Sequence, residues 1–483
     1  MTEGATALWL LDRGTYELAL FAAVGLLIGG LDDLLVDLIW MGRGLWRRIA
    51  VYSRHRPACA ATLAPPAAPG RIAVFVGAWD EAAVIGDMLA TALDRFAHDD
   101  YRIFVGVYPN DPATIAAVRA VRAGHPLGHR IRAVSGPLAG PTTKAEALNR
   151  LWAAMLREEA RDGVAFKAVV LHDAEDVVHP DELRLFDTLV ERFDLVQIPV
   201  LPLVDENSRW ISGHYCDEFS EAHGKQLVVR EAVGADMPSA GVGCALSRGA
   251  LARMAARHGG LPFDADSLTE DYELGLRLGE IGGRGVFVRL PAAQGGSGAS
   301  GSGLVAVHAY FPATLGEAVR QKTRWMTGIA LSGWDRLGWR GGLAEGWMRL
   351  RDRRAILAHV VLAAAYAAML LGTLSTAAHF LAGDGGAPIL SPALGMLLPV
   401  TSAMLVWRLA MRALMVARLY GWREGLRAIP RTIVGNLIGM AAARRALLRY
   451  AGMSLAVAFR GAAHRAPVWD KTRHRFPGQT GSP

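Results

Sequence analysis

An aspartate, Asp271, lies inside the run LTEDYELGLRL (Leu268 to Leu278), and a QKTRW run from Gln321 to Trp325 begins fifty residues after it. A hydroxyl group is a poor nucleophile at neutral pH, and a carboxylate within hydrogen-bond reach can take its proton as a new bond forms. Asp271 is the candidate base, with Glu270 beside it as the alternative. Arg324 offers a cation to a diphosphate, Trp325 offers a flat apolar face to a sugar ring, and Gln321 precedes them by one helical turn. Each piece has a plainer reading, since an acid at a helix start serves as a cap or dipole partner and an Arg-Trp pair near a membrane anchors at the interface.

A third group tips the balance. The stretch AFKAVVLHDAEDVVHP reads as a buried strand, Ala168 to Leu171, followed at once by Asp173, Glu175 and Asp176. Carboxylates so placed stand at the carboxyl end of a strand, where open α/β sheets bind ligands. Asp173 and Glu175 have the spacing of a D-x-D pair with glutamate in the second place, and two carboxylates so spaced can hold Mg2+ or Mn2+ against a diphosphate. A solvated acidic turn or a calcium site is the competing reading.

The elements that must position these groups precede and separate them. RIAVFVGAW, YRIFVGVY and HRIRAVSG read as strands, each followed by a helical pattern, EAAVIGDMLATALDRF, PATIAAVRAVRAG and TKAEALNRLWAAMLREEA in turn. Alternation with short connections predicts a parallel sheet with right-handed crossovers. Asp80 and Glu81 follow the first strand and Asn110 and Asp111 the second, where a carboxylate can accept from a nucleoside. Lys144 opens the third helix, a position where a cation opposes the helix dipole unless an anion visits.

Taken in order, WDEAAVIGDML, VYPNDPAT, GPTTKAEALN, LHDAEDVVHP, PSAGVGCALSR, LTEDYELGLRL, QKTRWMTGI and WDKTRHRFP resemble the membrane-bound family 2 glycosyltransferases. The likeness is strongest to the phage-adsorption type, more distant to cellulose and hyaluronan synthases, and covers nearly the whole chain after Arg71. It implies an α/β, GT-A-like nucleotide-diphosphosugar transferase domain in the cytoplasm, joined to a small helical transmembrane region. By the same resemblance, Asp80, Glu81 and Asp111 would contact the nucleoside, and Lys144 and Arg324 would serve the nucleotide. Asp173 and Glu175 would hold a divalent metal, Asp271 would be the base, and Gly241, Gly243, Gln321 and Trp325 would line the acceptor. Trp469, Lys471, Thr472 and Arg473 fall where related synthases keep a loop over the nucleotide. The implied reaction is inverting and, in the sense favoured by Gln321, Arg324 and Trp325, processive, and draws on a UDP-linked sugar to extend a polysaccharide. Glu175 in the second D-x-D place departs from the usual aspartate, and no regulation through a further C-terminal nucleotide-binding domain is expected of these residues.

Composition agrees with a membrane-attached enzyme. The 483 residues are 52% hydrophobic, and mean hydropathy is +0.22. The expected organisation is a transmembrane segment over 1–50, a linker over 51–70, a catalytic domain over 71–350, a transmembrane hairpin over 355–410, and an interfacial helix with a nucleotide-covering tail over 411–483. The clearest spans are Ala355 to Ala382 and Ile389 to Trp407. Leu18 to Trp40 is interrupted by Asp32, Asp33 and Asp37, which are expected near the cytoplasmic interface or facing protein. Arg43, Arg47 and Arg48 follow that apolar body, so the N-terminus is expected outside and the large domain inside a bacterial inner membrane. Thr432 to Phe459, broken by Arg444, Arg445 and Arg449, suits a helix lying in the interface, with a fourth span as its alternative.

Net charge of +7 fits lipid headgroups and topology; no nucleic-acid motif accompanies it. Membrane lipid, a polysaccharide or lipid-linked acceptor, and export proteins are the expected partners. Cys59, Cys216 and Cys244 are widely spaced, as in a reduced compartment, and Gly295 to Gly303 reads as a flexible loop. A single-transfer enzyme on a lipid-linked acceptor is the alternative activity. A non-catalytic membrane receptor or assembly protein is the alternative class, against which the full set of acids argues.

Overall fold

The computed structural model describes residues 3–292, 303–383, 391–460 and 474–478. The proposed tail contacts Trp469, Lys471, Thr472 and Arg473 lie outside the described residues, as does most of the Gly295 to Gly303 stretch.

The chain opens with α1 (Glu3–Trp46) and enters the sheet domain at β1 (Arg71–Gly77), followed by α2 (Ile85–Arg95), β2 (Tyr101–Val107), α3 (Pro112–Gly124), β3 (Ile131–Ser135), α4 (Lys144–Asp162) and β4 (Phe166–His172). Next come α5 (Glu182–Leu189), β5 (Leu195–Gln197), β6 (Val200–Pro202), α6 (Gly213–Glu221), α7 (Leu227–Ala232), β7 (Cys244–Ser247), α8 (Arg248–Arg257), α9 (Glu270–Glu280), β8 (Gly285–Phe287) and β9 (Val307–Ala309). The helices α10 (Leu315–Trp325), α11 (Gly333–Leu337), α12 (Leu343–Arg353), α13 (Ala355–Ala382), α14 (Pro392–Tyr420) and α15 (Trp422–Arg460) complete the order.

Seven strands form one sheet in the order β3-β2-β1-β4-β7-β5-β8, and β6 and β9 pair separately. The chain moves outward from β1 to β3, then returns to place β4 on the other side of β1, which puts a topological switch point between β1 and β4. β1 and β4 are almost wholly buried, and apolar cores cover the sheet on both faces. Asp111 caps α3 by accepting from the Thr114 amide at 3.2 Å, with Pro112 at the first helical position.

Two expectations change here. The sheet is mixed, because β7 runs antiparallel to both β4 and β5. Its cause is the place of the PSAGVG loop, which lies at the carboxyl end of β4, where the Gly243 amide donates to the Leu171 carbonyl at 3.1 Å, so the next strand must run back down the sheet. The helix expected from Glu81 begins only at Ile85, since Asp80 has φ +54° and the chain turns there before winding.

Among the described residues three helices are long and apolar enough to cross a membrane, over Thr6–Val51, Ala355–Ala382 and Pro392–Tyr420. The first is longer than the Leu18 to Trp40 segment, and the third starts and ends later than Ile389 to Trp407. Asp32, Asp33 and Asp37 of α1 face protein. Arg354 reaches Asp32 at 2.8 Å and Asp33 at 2.6 Å, Arg351 joins both, and Lys225 meets Asp37 at 2.5 Å. Pairing of this kind removes most of the cost of carrying charge on an apolar helix. α15 is one continuous helix that packs on α10, α13 and α14.

Candidate functional site

A cavity opens at the switch point, lined by Gly77, Glu81, Lys144, Asp173, Glu175, Glu270, Asp271, Gln321, Arg324, Trp325 and His474 among others. Five parts of the sequence therefore converge: the carboxyl end of β1, that of β4, the start of α4, the start of α9, and α10.

The β4 end is shaped by a buried ion cluster. His172, the last residue of β4, bonds Asp176 through Nδ1 at 2.9 Å and Glu182 through Nε2 at 2.7 Å. Burial opposes charge on this ring, yet Glu182 and Asp176 hold its pKa up at about 10. Asp176 Oδ2 in turn accepts from the Asp173 amide at 3.0 Å, which fixes the turn that carries Asp173 and Glu175.

Lys144 sits at the centre of the acids. Its Nζ donates to Asp173 Oδ1 at 2.5 Å and approaches the Gly241 carbonyl at 3.4 Å. Burial works against its charge, but Asp173, Glu270 and Asp271 outweigh that and raise its pKa. A cation held at this helix start by three carboxylates has a second use there, as a partner for a diphosphate.

Glu175 joins Glu81 and His474, and the ligand atoms of the three all lie within 4.8 Å of one another. His474 Nδ1 is 3.0 Å from Glu81 Oε1 and 3.3 Å from Glu175 Oε2. Burial, opposed by His474 and reinforced by Asp173 and Glu81, pushes the Glu175 carboxyl up to about 8. Two carboxylates and an imidazole converging in this way fit a divalent ion of the Mg2+ or Mn2+ type, with Asp173 next to them.

At the α9 end, burial and the neighbouring Asp271 push Glu270 up to about 7, and burial also raises Asp271. A raised carboxylate is a better proton acceptor than a solvated one. Gly241, at φ +78°, makes room for it: a Cβ there would stand 2.1 Å from Asp271 Oδ2. Gly243 serves packing instead, since its Cβ would meet Val307 at 2.8 Å. The cavity wall itself is formed by Ala240 and Val242. Buried Gln197 holds that loop, accepting from the Ala240 amide at 2.8 Å and donating to the carbonyls of Val242 and Gly243.

α9 is clamped from behind. Arg336 donates to both Glu273 oxygens at 2.9 Å, and the Tyr272 hydroxyl donates to Asp352 Oδ2 at 2.7 Å. On the opposite wall Trp325, Phe219 and Phe311 form an aromatic surface with Tyr215 behind it. Gln321 Oε1 and Thr269 Oγ1 line the cavity, are buried, and have no hydrogen-bond partner among the described residues. Two such atoms in one cavity wall call for a ligand with hydroxyl groups.

The nucleoside acids divide. Glu81 lines the cavity, Asp80 is exposed on its strained turn, and Asp111 is spent on backbone, accepting from the Asp80 amide at 2.6 Å as well as capping α3. Sequence reading did not single out His474, Thr269, Gln197 or Phe219. His474 lies inside the WDKTRHRFP run, so its position, one residue beyond Arg473, was the available signal.

Residues 69–328 match the model of a family described as "Glycosyltransferase like family 2". The chain is similar to bacteriophage adsorption protein B of Escherichia coli (strain K12), with 38% identity over 497 residues, covering 98% of this chain and 64% of that protein. The figures are the same for bacteriophage N4 adsorption protein B of Escherichia coli O157:H7. The chain thus spans 64% of the length of these curated relatives. Among solved structures it resembles the mannosyltransferase PcManGT from Pyrobaculum calidifontis, in complex with GDP-Man and Mn2+, with a TM-score of 0.51 and 16% identity, covering 89% of this chain and 99% of that one. That likeness is one of fold.

Proposed function

Since the chain belongs to glycosyltransferase-like family 2, we propose that it is an inner-membrane enzyme that moves a sugar from a nucleotide-diphosphosugar to a growing polysaccharide with inversion at the anomeric carbon. The observation that supports this best is the meeting, in one cavity, of a buried carboxylate pair, a lysine among acids, and the Gln321, Arg324 and Trp325 side chains.

In this reading Lys144 and Arg324 bind the diphosphate, and Asp80 and Glu81 face the nucleoside. Glu175, Glu81, His474 and Asp173 would hold the divalent ion, which when bound neutralises diphosphate charge. Trp325 stacks on a sugar ring, and Gln321 and Thr269 accept hydrogen bonds from its hydroxyls. Asp271 takes the proton of the acceptor hydroxyl as its oxygen bonds the anomeric carbon. The bond from that carbon to the phosphate oxygen breaks on the opposite side, and the nucleoside diphosphate leaves with the electron pair.

Membranes containing the protein, offered labelled nucleotide-sugars in turn, should give a labelled polymer with one donor, of UDP type, and product length should grow with time. Labelled product of one added sugar only, on extractable lipid, would establish the single-transfer alternative. Excess chelator should abolish turnover, and Mg2+ or Mn2+ should restore it; full activity in chelator would remove the ion from this scheme.

The proposed topology places the N-terminus outside and the catalytic domain inside, on the strength of Arg43, Arg47 and Arg48 after the first apolar stretch. Reporter fusions at Gly385 and at the C-terminus should then report opposite compartments. The same compartment for both would overturn the three-span arrangement.

A further inference from the structure

Where α1 and α14 meet the sheet domain, cations are matched to acids. Arg408 and Arg412 reach Glu221 at 2.8 and 2.7 Å, Lys225 reaches Asp37 at 2.5 Å, and Arg43 reaches Glu231 at 3.5 Å. Two arginines in the same place stand outside this scheme. Arg289, just after β8, and Arg418, in the last turn of α14, are both exposed, and among the described residues neither forms an ion pair.

The fold nevertheless brings them together. The Arg418 guanidinium lies 5.2 Å from the centroid of the Trp40 ring on α1, and the Trp40 indole donates to the Gly224 carbonyl at 3.2 Å. Arg289 Nη1 approaches the same carbonyl at 3.5 Å. Gly224 lies in the π-helical turn Ala222–Gln226 between α6 and α7, and it abuts α14 as well, since a Cβ there would stand 2.4 Å from Met415 Cε. Desolvation by the surrounding protein and then the charge of Arg418 hold the Arg289 pKa below the ordinary arginine value. Asp37 and Glu221, the acids of the adjoining turns, are already held by Lys225, Arg408 and Arg412. Two like charges crowded in this way are relieved by an anion that bridges them, and guanidinium forks match the oxygens of a phosphate.

The height of the pair says where that phosphate comes from. Trp40 and Arg418 stand on two of the helices apolar enough to cross a bilayer, each near the end that adjoins the sheet domain. On the side of α14 that carries Arg418, Leu414 one turn back and Trp407 three turns back are 42% and 40% exposed. An apolar face that ends in an arginine follows the course of a lipid from acyl chain to headgroup, and an indole favours that boundary.

We propose that Arg289 and Arg418, joined through Trp40 and the Gly224 carbonyl, form a binding site for the phosphate of an anionic lipid headgroup in the leaflet next to the sheet domain. The site rests on α1 and α14 crossing the bilayer, and none of its residues lines the catalytic cavity.

The test is native mass spectrometry of the full chain in detergent, titrated with phosphatidylglycerol, phosphatidylcholine or inorganic phosphate. Arg289→Gln with Arg418→Gln is compared with Arg122→Gln and Arg157→Gln, two exposed arginines of α3 and α4 whose loss removes the same charge elsewhere. The unaltered chain and the control should bind one phosphatidylglycerol in preference to phosphatidylcholine. The Arg289 and Arg418 double variant should bind it about 10–30-fold more weakly, the loss expected for two arginines at an anionic surface. Each single glutamine variant should show part of that loss, which keeps the test decisive if the double variant fails to fold. Equal affinity for phosphatidylglycerol in the variants and the unaltered chain would overturn the proposal. Displacement of the lipid by an equal concentration of inorganic phosphate would overturn the lipid as its source and leave the pair to a soluble phosphate.

Discussion

Replacing Asp271 with asparagine should lower sugar transfer by about 10²–10⁴-fold, the usual span for loss of a general base, while the donor still binds. Asparagine keeps the size and the ability to accept the Tyr272 amide bond, which Asp271 Oδ1 receives at 2.7 Å, and it fits the space that Gly241 leaves. Only basicity is removed. If Asp271 merely supports the start of α9, asparagine should do so almost as well, because it is an equally good residue at helix starts. Donor affinity and turnover are to be measured on one preparation; near-normal turnover would falsify the assignment and transfer the role to Glu270. Glu270→Gln provides the complementary arm, with a smaller loss expected as long as Asp271 is present.

Replacing Arg431 with alanine should destabilise the folded protein by about 3–5 kcal/mol, the range for removing one partner of a buried ion pair. Arg431 is itself buried on α15 and bonds Asp217 of α6 through two nitrogens at 2.5 and 2.8 Å, and Glu424 at 2.9 Å. Without it, Asp217 stays in a site where burial already pushes its pKa up to about 6 despite the arginine. Changing both partners, Arg431→Met with Asp217→Leu, should recover much of the loss, because no unpaired charge remains between the helices. Thermal unfolding in detergent, followed by tryptophan emission, gives both shifts. An unchanged midpoint for the alanine variant would mean that the pair adds nothing to the docking of α15.

What could be read from the sequence was whatever depends on neighbours along the chain. Pro112 to Gly124 has a capping aspartate, a proline at the first helical position and an amphipathic period, and it forms the expected helix. Glu81 after β1 and the acids after β4 come to the cavity because parallel neighbours carry their carboxyl ends to the same edge. His474 and Glu81 are 393 residues apart, and no local pattern announces their contact. The reversal of β7 follows from the place of the PSAGVG loop, a tertiary fact, and the acids of α1 find their partners in Arg351 of α12 and in Arg354 just after it.

The clamp behind α9 bears on where the catalytic unit ends. The family match stops at residue 328, but Arg336 and Asp352, which hold Glu273 and Tyr272, lie beyond it. A fragment trimmed at that boundary to make a soluble enzyme would leave buried Glu273 with Arg277 but without the two bonds from Arg336, and the Asp271 helix without the Tyr272–Asp352 bond. The smallest fragment that keeps Asp271, the proposed base, in register therefore includes α12, the helix just before the candidate span α13, so that the part of the chain that looks detachable by sequence is not detachable by mechanics.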